Sequence, residues 1–185
     1  MARSVVLVEL IVFLACIVGF NVVRRFRSSD PSGECPIKPV LFRTGKGAMG
    51  ISWACLFFHA LGLNLNLFRV PPVLDYVSGF LVFGGIAFAF PAFLRLGDGS
   101  RFGLPREPIE IQTGGIYGIS RNPMYLGFYL VTLASLLLVP NPVNVCAGVV
   151  GIVLHHRVVL TEERFLLEAY GSSYAAYMRR VRRYL

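Results

Sequence analysis

The stretch GGIYGISRNPMYLG, residues 114–127, sets Arg121, Asn122 and Pro123 at the head of a long apolar run, with Tyr117 and Tyr125 on either side. A bilayer penalises unpaired polar groups, and proline removes a backbone hydrogen bond from a helix. A bound ligand would offset both costs. The residue types suit one: the tyrosines can supply aromatic walls and hydroxyls, and Asn122 either end of an amide. Pro123 fits the first position of a helix, where its missing N–H is no loss. The helix N-terminus then offers free N–H groups to a carboxylate. Gly127 permits close approach of a ligand or a neighbouring helix. A second polar pair, Glu162 and Glu163, follows the next apolar stretch.

The elements that must position these residues are membrane spans. Of 185 residues, 55% are hydrophobic and 15% charged, where a soluble domain carries about 25% charged; the mean hydropathy is +0.64. The apolar residues come in blocks, at about 5–23, 48–68, 76–94, 124–139 and 143–159. The first is long enough for a ~30 Å hydrocarbon core. It exceeds the apolar region of a signal peptide and lacks a small-residue cleavage site, so it reads as an anchor. No formal charge falls between Arg121 and Arg157, and as one helix that stretch would run to roughly 50 Å, too long for one span. VPNPV (139–143) turns it into a tight hairpin. The expected fold is all-α: a polytopic bundle of about five transmembrane helices, with spans 4 and 5 forming the hairpin. Residues 1–185 read as one membrane domain, 1–93 carrying the first three spans, joined by a basic loop (24–46) and a short loop at RVPPVLD (69–75).

Sixteen of the eighteen basic residues fall on one side of this topology, with only Arg3 and Arg69 opposite. The positive-inside rule makes that side cytoplasmic and the N-terminus external. The net charge of +8 then reflects topology and anionic headgroups; no basic surface interleaved with aromatics points to nucleic acid. The four cysteines form no C-x-x-C, and neither a zinc site nor a disulfide framework is indicated. Glu9, inside the first span, must face the bundle, sit near the interface or be protonated. In the tail, Leu166, Tyr170, Tyr174, Tyr177, Val181 and Tyr184 recur at helical steps with arginines opposite. That predicts an amphipathic helix over 161–185, on the membrane surface or over the 95–123 loop, with Gly171 as a break.

Taken in order, G-I-Y (115–117), R-N-P-M-Y-L-G (121–127), the apolar hairpin, E-E (162–163) and G-S-S-Y-A-A-Y (171–177) resemble the isoprenylcysteine carboxyl methyltransferase and phospholipid methyltransferase superfamily of integral membrane enzymes. The resemblance covers residues 94–182; residues 1–93 match only in hydropathy. It implies S-adenosylmethionine as cofactor, and cofactor contacts at Ile109, Glu110, Ile111, Gln112, Gly115, Tyr117, Arg121, Asn122, Pro123, Tyr125 and Glu162. Glu162 would bind the ligand's ammonium group or ribose. It implies a substrate-contacting arginine before the acidic pair, for which Arg157 is the nearest residue. Asn122 stands where the prenylcysteine enzymes carry His, and I-E-I-Q (109–112) where they carry H-x-L-V. Read without the resemblance, the tyrosines are interfacial aromatics, Arg121 is a snorkelling anchor bracing the loop, and one of Glu162 and Glu163 complements a helix start behind Thr161.

Methyl transfer from a sulfonium is an in-line displacement that needs alignment and exclusion of water more than covalent help. A lipid or lipid-like acceptor at the cytoplasmic interface suits such a site. A carboxylate acceptor needs no general base; an amine or thiol would draw on Glu163, His155 or His156. The alternatives are an NADPH-dependent membrane sterol or steroid reductase, with Arg101, Arg106 or Arg121 on the 2′-phosphate, and a non-catalytic membrane scaffold.

Overall fold

The computed structural model describes residues 2–27, 36–96 and 111–185; Ile109 and Glu110, with Arg101 and Arg106, lie outside them. The described residues form helices α1 (Ala2–Arg27), α2 (Pro39–Ala60), α3 (Val73–Leu96), α4 (Pro123–Leu138) and α5 (Pro142–Arg180), with a 3₁₀ turn at Gly115–Gly118 before α4. This is the expected all-helical membrane bundle. Three helices, α1, α3 and α5, are long and apolar enough to cross a bilayer, and α4 is a shorter apolar helix of 16 residues. α2, with Arg43 and Lys46 set among its apolar residues, is not one of the three.

Proline at the first turn starts α2, α4 and α5, as its fixed φ favours. Small residues set the spacing. A Cβ at Gly127 would lie 2.5 Å from the Gly85 carbonyl and one at Gly85 2.9 Å from the Gly127 carbonyl, so α3 and α4 touch backbone to backbone. In lipid such close packing replaces the hydrophobic drive between helices. The glycine of the RNPMYLG stretch therefore meets a neighbouring helix. At the hairpin, Asn141 Oδ1 accepts from the Asn144 N–H at 2.9 Å, and fully buried Asn144 donates to the Ser135 and Val139 carbonyls. VPNPV is thus a closed turn with its polar groups satisfied, as the sequence predicts.

Three expectations change. The block at 48–68 joins two states: α2 starts earlier, at Pro39, and stops at Ala60, because Gly62 at φ 99 closes it and Leu61 N–H bonds back to Phe57. The leucines of GLNLNLF (62–68) alternate with asparagines in an irregular connection, which hydropathy alone merges with the helix. The loop drawn over 24–46 likewise loses its last eight residues to α2. The tail, expected as an amphipathic helix on the membrane surface or over the 95–123 loop, continues the fifth span as far as Gly171, and its later residues pack over the end of that loop, with Tyr177 on the Tyr117 carbonyl. α5 runs for 39 residues with a break at Gly171 (φ 52, ψ −122), and 181–185 fold back over the 120–122 segment. Its part before the Gly171 break alone would run about 43 Å, more than a bilayer core takes. The uncharged stretch occupies its first half and ends at Arg157, so the residues from Thr161 onward project beyond the apolar layer.

Candidate functional site

The start of α4 and the middle of α5 meet at one end of the bundle. There Glu162 and Glu163, adjacent on α5, face two different sets of partners. Thr161 stands mid-helix, its hydroxyl bonded to the Arg157 carbonyl at 3.0 Å, so neither glutamate complements a helix start.

Glu163 is 4% exposed and saturated. Its carboxylate accepts from Arg121 Nε at 3.0 Å and Nη2 at 3.2 Å, from Arg183 Nε at 2.8 Å and from Asn122 Nδ2 at 2.8 Å. Burial alone would raise its pKa, but Arg121 and Arg183, with Asn122 adding, hold it below the ordinary glutamate value. Arg121 also donates to the Met178 and Val181 carbonyls, and its N–H to the Arg182 carbonyl. Ser120 Oγ and Asn122 Nδ2 both reach the Arg183 carbonyl. Arg121 therefore does not snorkel: its side chain is 7% exposed and clamps the chain's last residues onto the head of α4. The Gly115–Gly118 turn is held alongside, with Tyr177 Oη donating to the Tyr117 carbonyl at 2.6 Å. Gly115 takes a φ of 60 beneath the Arg95 guanidinium, where a Cβ would come within 3.0 Å. Desolvation, with the nearby Tyr177 and Glu162, raises the Tyr117 pKa, so its hydroxyl stays protonated.

Glu162 accepts a hydrogen bond from the Tyr125 hydroxyl at 3.0 Å. Desolvation pushes its pKa up to about 7; the Tyr125 hydrogen bond and Lys46 oppose the rise and Glu163 adds to it. Tyr125 in turn lines a cavity of about 290 Å³ between α1, α2, α4 and α5, with Asn21, Lys46, Trp53, Phe128 and His155 on its walls. Trp53 is oriented by a hydrogen bond to Thr132 at 3.0 Å and by edge contacts with Phe13 and Phe128. His155 Nδ1 donates to the Gly151 carbonyl at 2.9 Å, which leaves Nε2 with the lone pair in the neutral ring. His156 Nδ1 lies 2.8 Å from the Tyr184 hydroxyl.

Of the residues singled out in the sequence, the fold joins Arg121, Asn122 and Glu163 in one hydrogen-bonded cluster and Tyr125 with Glu162 in a second beside it, with Pro123 between them along the chain and Gly115 and Tyr117 adjoining. Ile111 and Gln112 are half-buried at the start of the described segment, and Arg157 is exposed and outside the cluster. Sequence reasoning missed Trp53 and Asn21, contributed by helices that looked like plain spans, Lys46, which it set at the end of the basic loop, and Arg183. Lys46 becomes a cation inside an apolar helix only once α2 is seen to start at Pro39. Nothing in an arginine-rich tail singles out Arg183.

Among the described residues no side chain caps the N-terminus of α4, an arrangement in which its first N–H groups could meet a carboxylate and Glu162, one tyrosine away, an ammonium. A sequence model of the family described as phospholipid methyltransferase matches residues 74–173, more than half of the chain. A search of curated proteins finds no match.

Proposed function

The chain belongs to the phospholipid methyltransferase family, a multi-pass membrane methyltransferase, and from that premise we propose that it uses S-adenosylmethionine to methylate a lipid or lipid-like acceptor at the cytoplasmic interface. The observation that carries this reading is the Tyr125–Glu162 pair, set between an uncapped helix N-terminus and a mostly apolar cavity.

Each residue then has a role. Glu162 and the first N–H groups of α4 hold the ammonium and carboxylate of the cofactor, and Tyr117, Ile111 and Gln112 border its remainder. When bound, S-adenosylmethionine supplies a methyl group on a cationic sulfur, open to in-line displacement. Tyr125 joins the two halves of the site: its hydroxyl orients Glu162 while its ring walls the acceptor cavity. Lys46 draws an anionic head toward that wall, and the acceptor's tail leaves between helices, because the hairpin closes the far end. For an amine acceptor, His155 Nε2 takes the proton that must be lost. Glu163 serves as the brace that aligns Arg121, Asn122 and the tail, since its lone pairs are committed. The basic end of the bundle faces the cytoplasm, on the 16-to-2 division of charge.

Purified protein titrated with S-adenosylmethionine and with NADPH should bind the first. Membranes given methyl-labelled S-adenosylmethionine should pass label into the organic phase. Label confined to water-soluble products would overturn the lipid acceptor and spare the methyltransferase; binding of NADPH alone would overturn the cofactor.

A further inference from the structure

At the end of the bundle opposite Glu162 lies a larger cavity, of about 750 Å³. It is bordered by the first turn of α1, the end of α2, the 61–72 connection, the first turn of α3 and the end of α4. Arg3, His59, Asn64, Asn66, Arg69 and Asp75 give it a polar lining, unlike the apolar walls around Tyr125.

Its charge is not explained by packing. Among the described residues, Arg3 and Arg69 are the two lysine or arginine side chains at this end, and both line this one cavity. Neither enters an ion pair among the described residues. His59 is 3% exposed and its Nδ1 is buried with no hydrogen-bond partner. Asn66 is turned by its amide nitrogen, which donates to the Leu138 carbonyl at 2.8 Å, leaving a buried Oδ1 without a partner. Buried polar atoms are nearly always satisfied, and these two belong to residues that line the cavity. The connection that carries Arg69 also turns Leu67 and Phe68 outward, 64% and 71% exposed. Exposed apolar side chains of this kind suit a bilayer interface.

We propose that this cavity binds a phosphate group, with Arg3 and Arg69 as its cationic jaws and His59 as the buried donor. Two guanidinium forks match the oxygens of a phosphate, and neutral imidazole adds an N–H. Asp75, on the same wall, also favours the N-terminus of α3; toward the ligand it disfavours a bare anion and accepts from an amine or hydroxyl next to the phosphate. The phosphate comes either from a phospholipid headgroup in the outer leaflet or from free phosphate in solution. The assignment is independent of the chemistry at the other end.

The test uses the full chain in a phosphate-free maltoside detergent, with unfolding temperature read against two titrants: inorganic phosphate and dihexanoyl phosphatidylglycerol. Binding of the short-chain lipid alone identifies a headgroup site, and a shift with both identifies phosphate itself; either supports the assignment. Arg69→Ala should weaken the apparent affinity about tenfold, and Arg3→Ala with Arg69→Ala should abolish the shift. Asp75→Asn should tighten phosphate binding about threefold by removing a like charge, a gain that misfolding cannot imitate. No shift with either titrant, or a shift that survives the double arginine variant, overturns the proposal.

Discussion

Glu163→Ala is expected to cost the bundle about 3–5 kcal/mol, the usual loss when one member of a buried ion pair is removed. The figure follows from its surroundings. Glu163 is 4% exposed and Arg121 7%, so deleting the carboxylate strands a guanidinium and the Asn122 amide where water does not reach. Arg183 is 35% exposed, and its pair with Glu163 contributes no more than a surface ion pair, about 0–1 kcal/mol. Asn122→Ala removes one neutral donor and should cost about 1–3 kcal/mol. The predicted order of loss is therefore Glu163→Ala, then Asn122→Ala, then Arg183→Ala, measured by unfolding in a single detergent. A double-mutant cycle should place the large coupling on Arg121 with Glu163 and the small one on Arg183 with Glu163. The same carboxylate fixes the sign of the acid response. Its pKa is lowered in the fold from 4.5, so its contribution is complete above about pH 4.5 and is lost as pH falls through the lower folded value. Glu163→Gln should flatten that acid limb. If Glu163→Ala costs no more than Arg183→Ala, the buried-clamp reasoning fails.

Cofactor affinity should rise nearly tenfold from pH 6 to pH 8, because a Glu162 with a pKa of about 7 is about a tenth ionised at the first and nine-tenths at the second. Titration calorimetry should find that dependence reduced in Glu162→Gln; an unchanged profile would remove Glu162 from the ammonium site. Gly127→Ala should destabilise the bundle by about 1–3 kcal/mol, since its Cβ would meet the Gly85 carbonyl at 2.5 Å; a thermal-unfolding midpoint equal to wild type would contradict the α3–α4 contact. Asn122→His should keep cofactor binding, because an imidazole N–H can replace the amide donor toward Glu163, whereas Asn122→Leu should lose it in the same binding assay.

The amino-acid order by itself determined the helical bundle and its hairpin. Lipid forces every backbone group to be satisfied locally, so runs of apolar residues and the prolines of VPNPV leave the spans few alternatives. The order of G-I-Y, R-N-P-M-Y-L-G and E-E also carried the family. The residues that do the work within that frame were harder to read. Glu162 and Glu163 are chemically identical in the sequence, and only the pitch of α5 turns one toward Tyr125 and the other toward Arg121. Because adjacent helical residues point about 100° apart, their partners come from segments 37 and 42 positions away, which no local pattern records. The tail is the same case: an amphipathic repeat fits both a membrane-surface helix and one over the 95–123 loop, and the Gly171 break with the carbonyls of 181–183 decides for the loop, at Ser120 to Asn122. Lys46, Trp53 and His155 become neighbours only because α2 packs against α5 and α4. Helix packing is decided by the fit of whole side-chain surfaces, and that fit exists only once the helices are together.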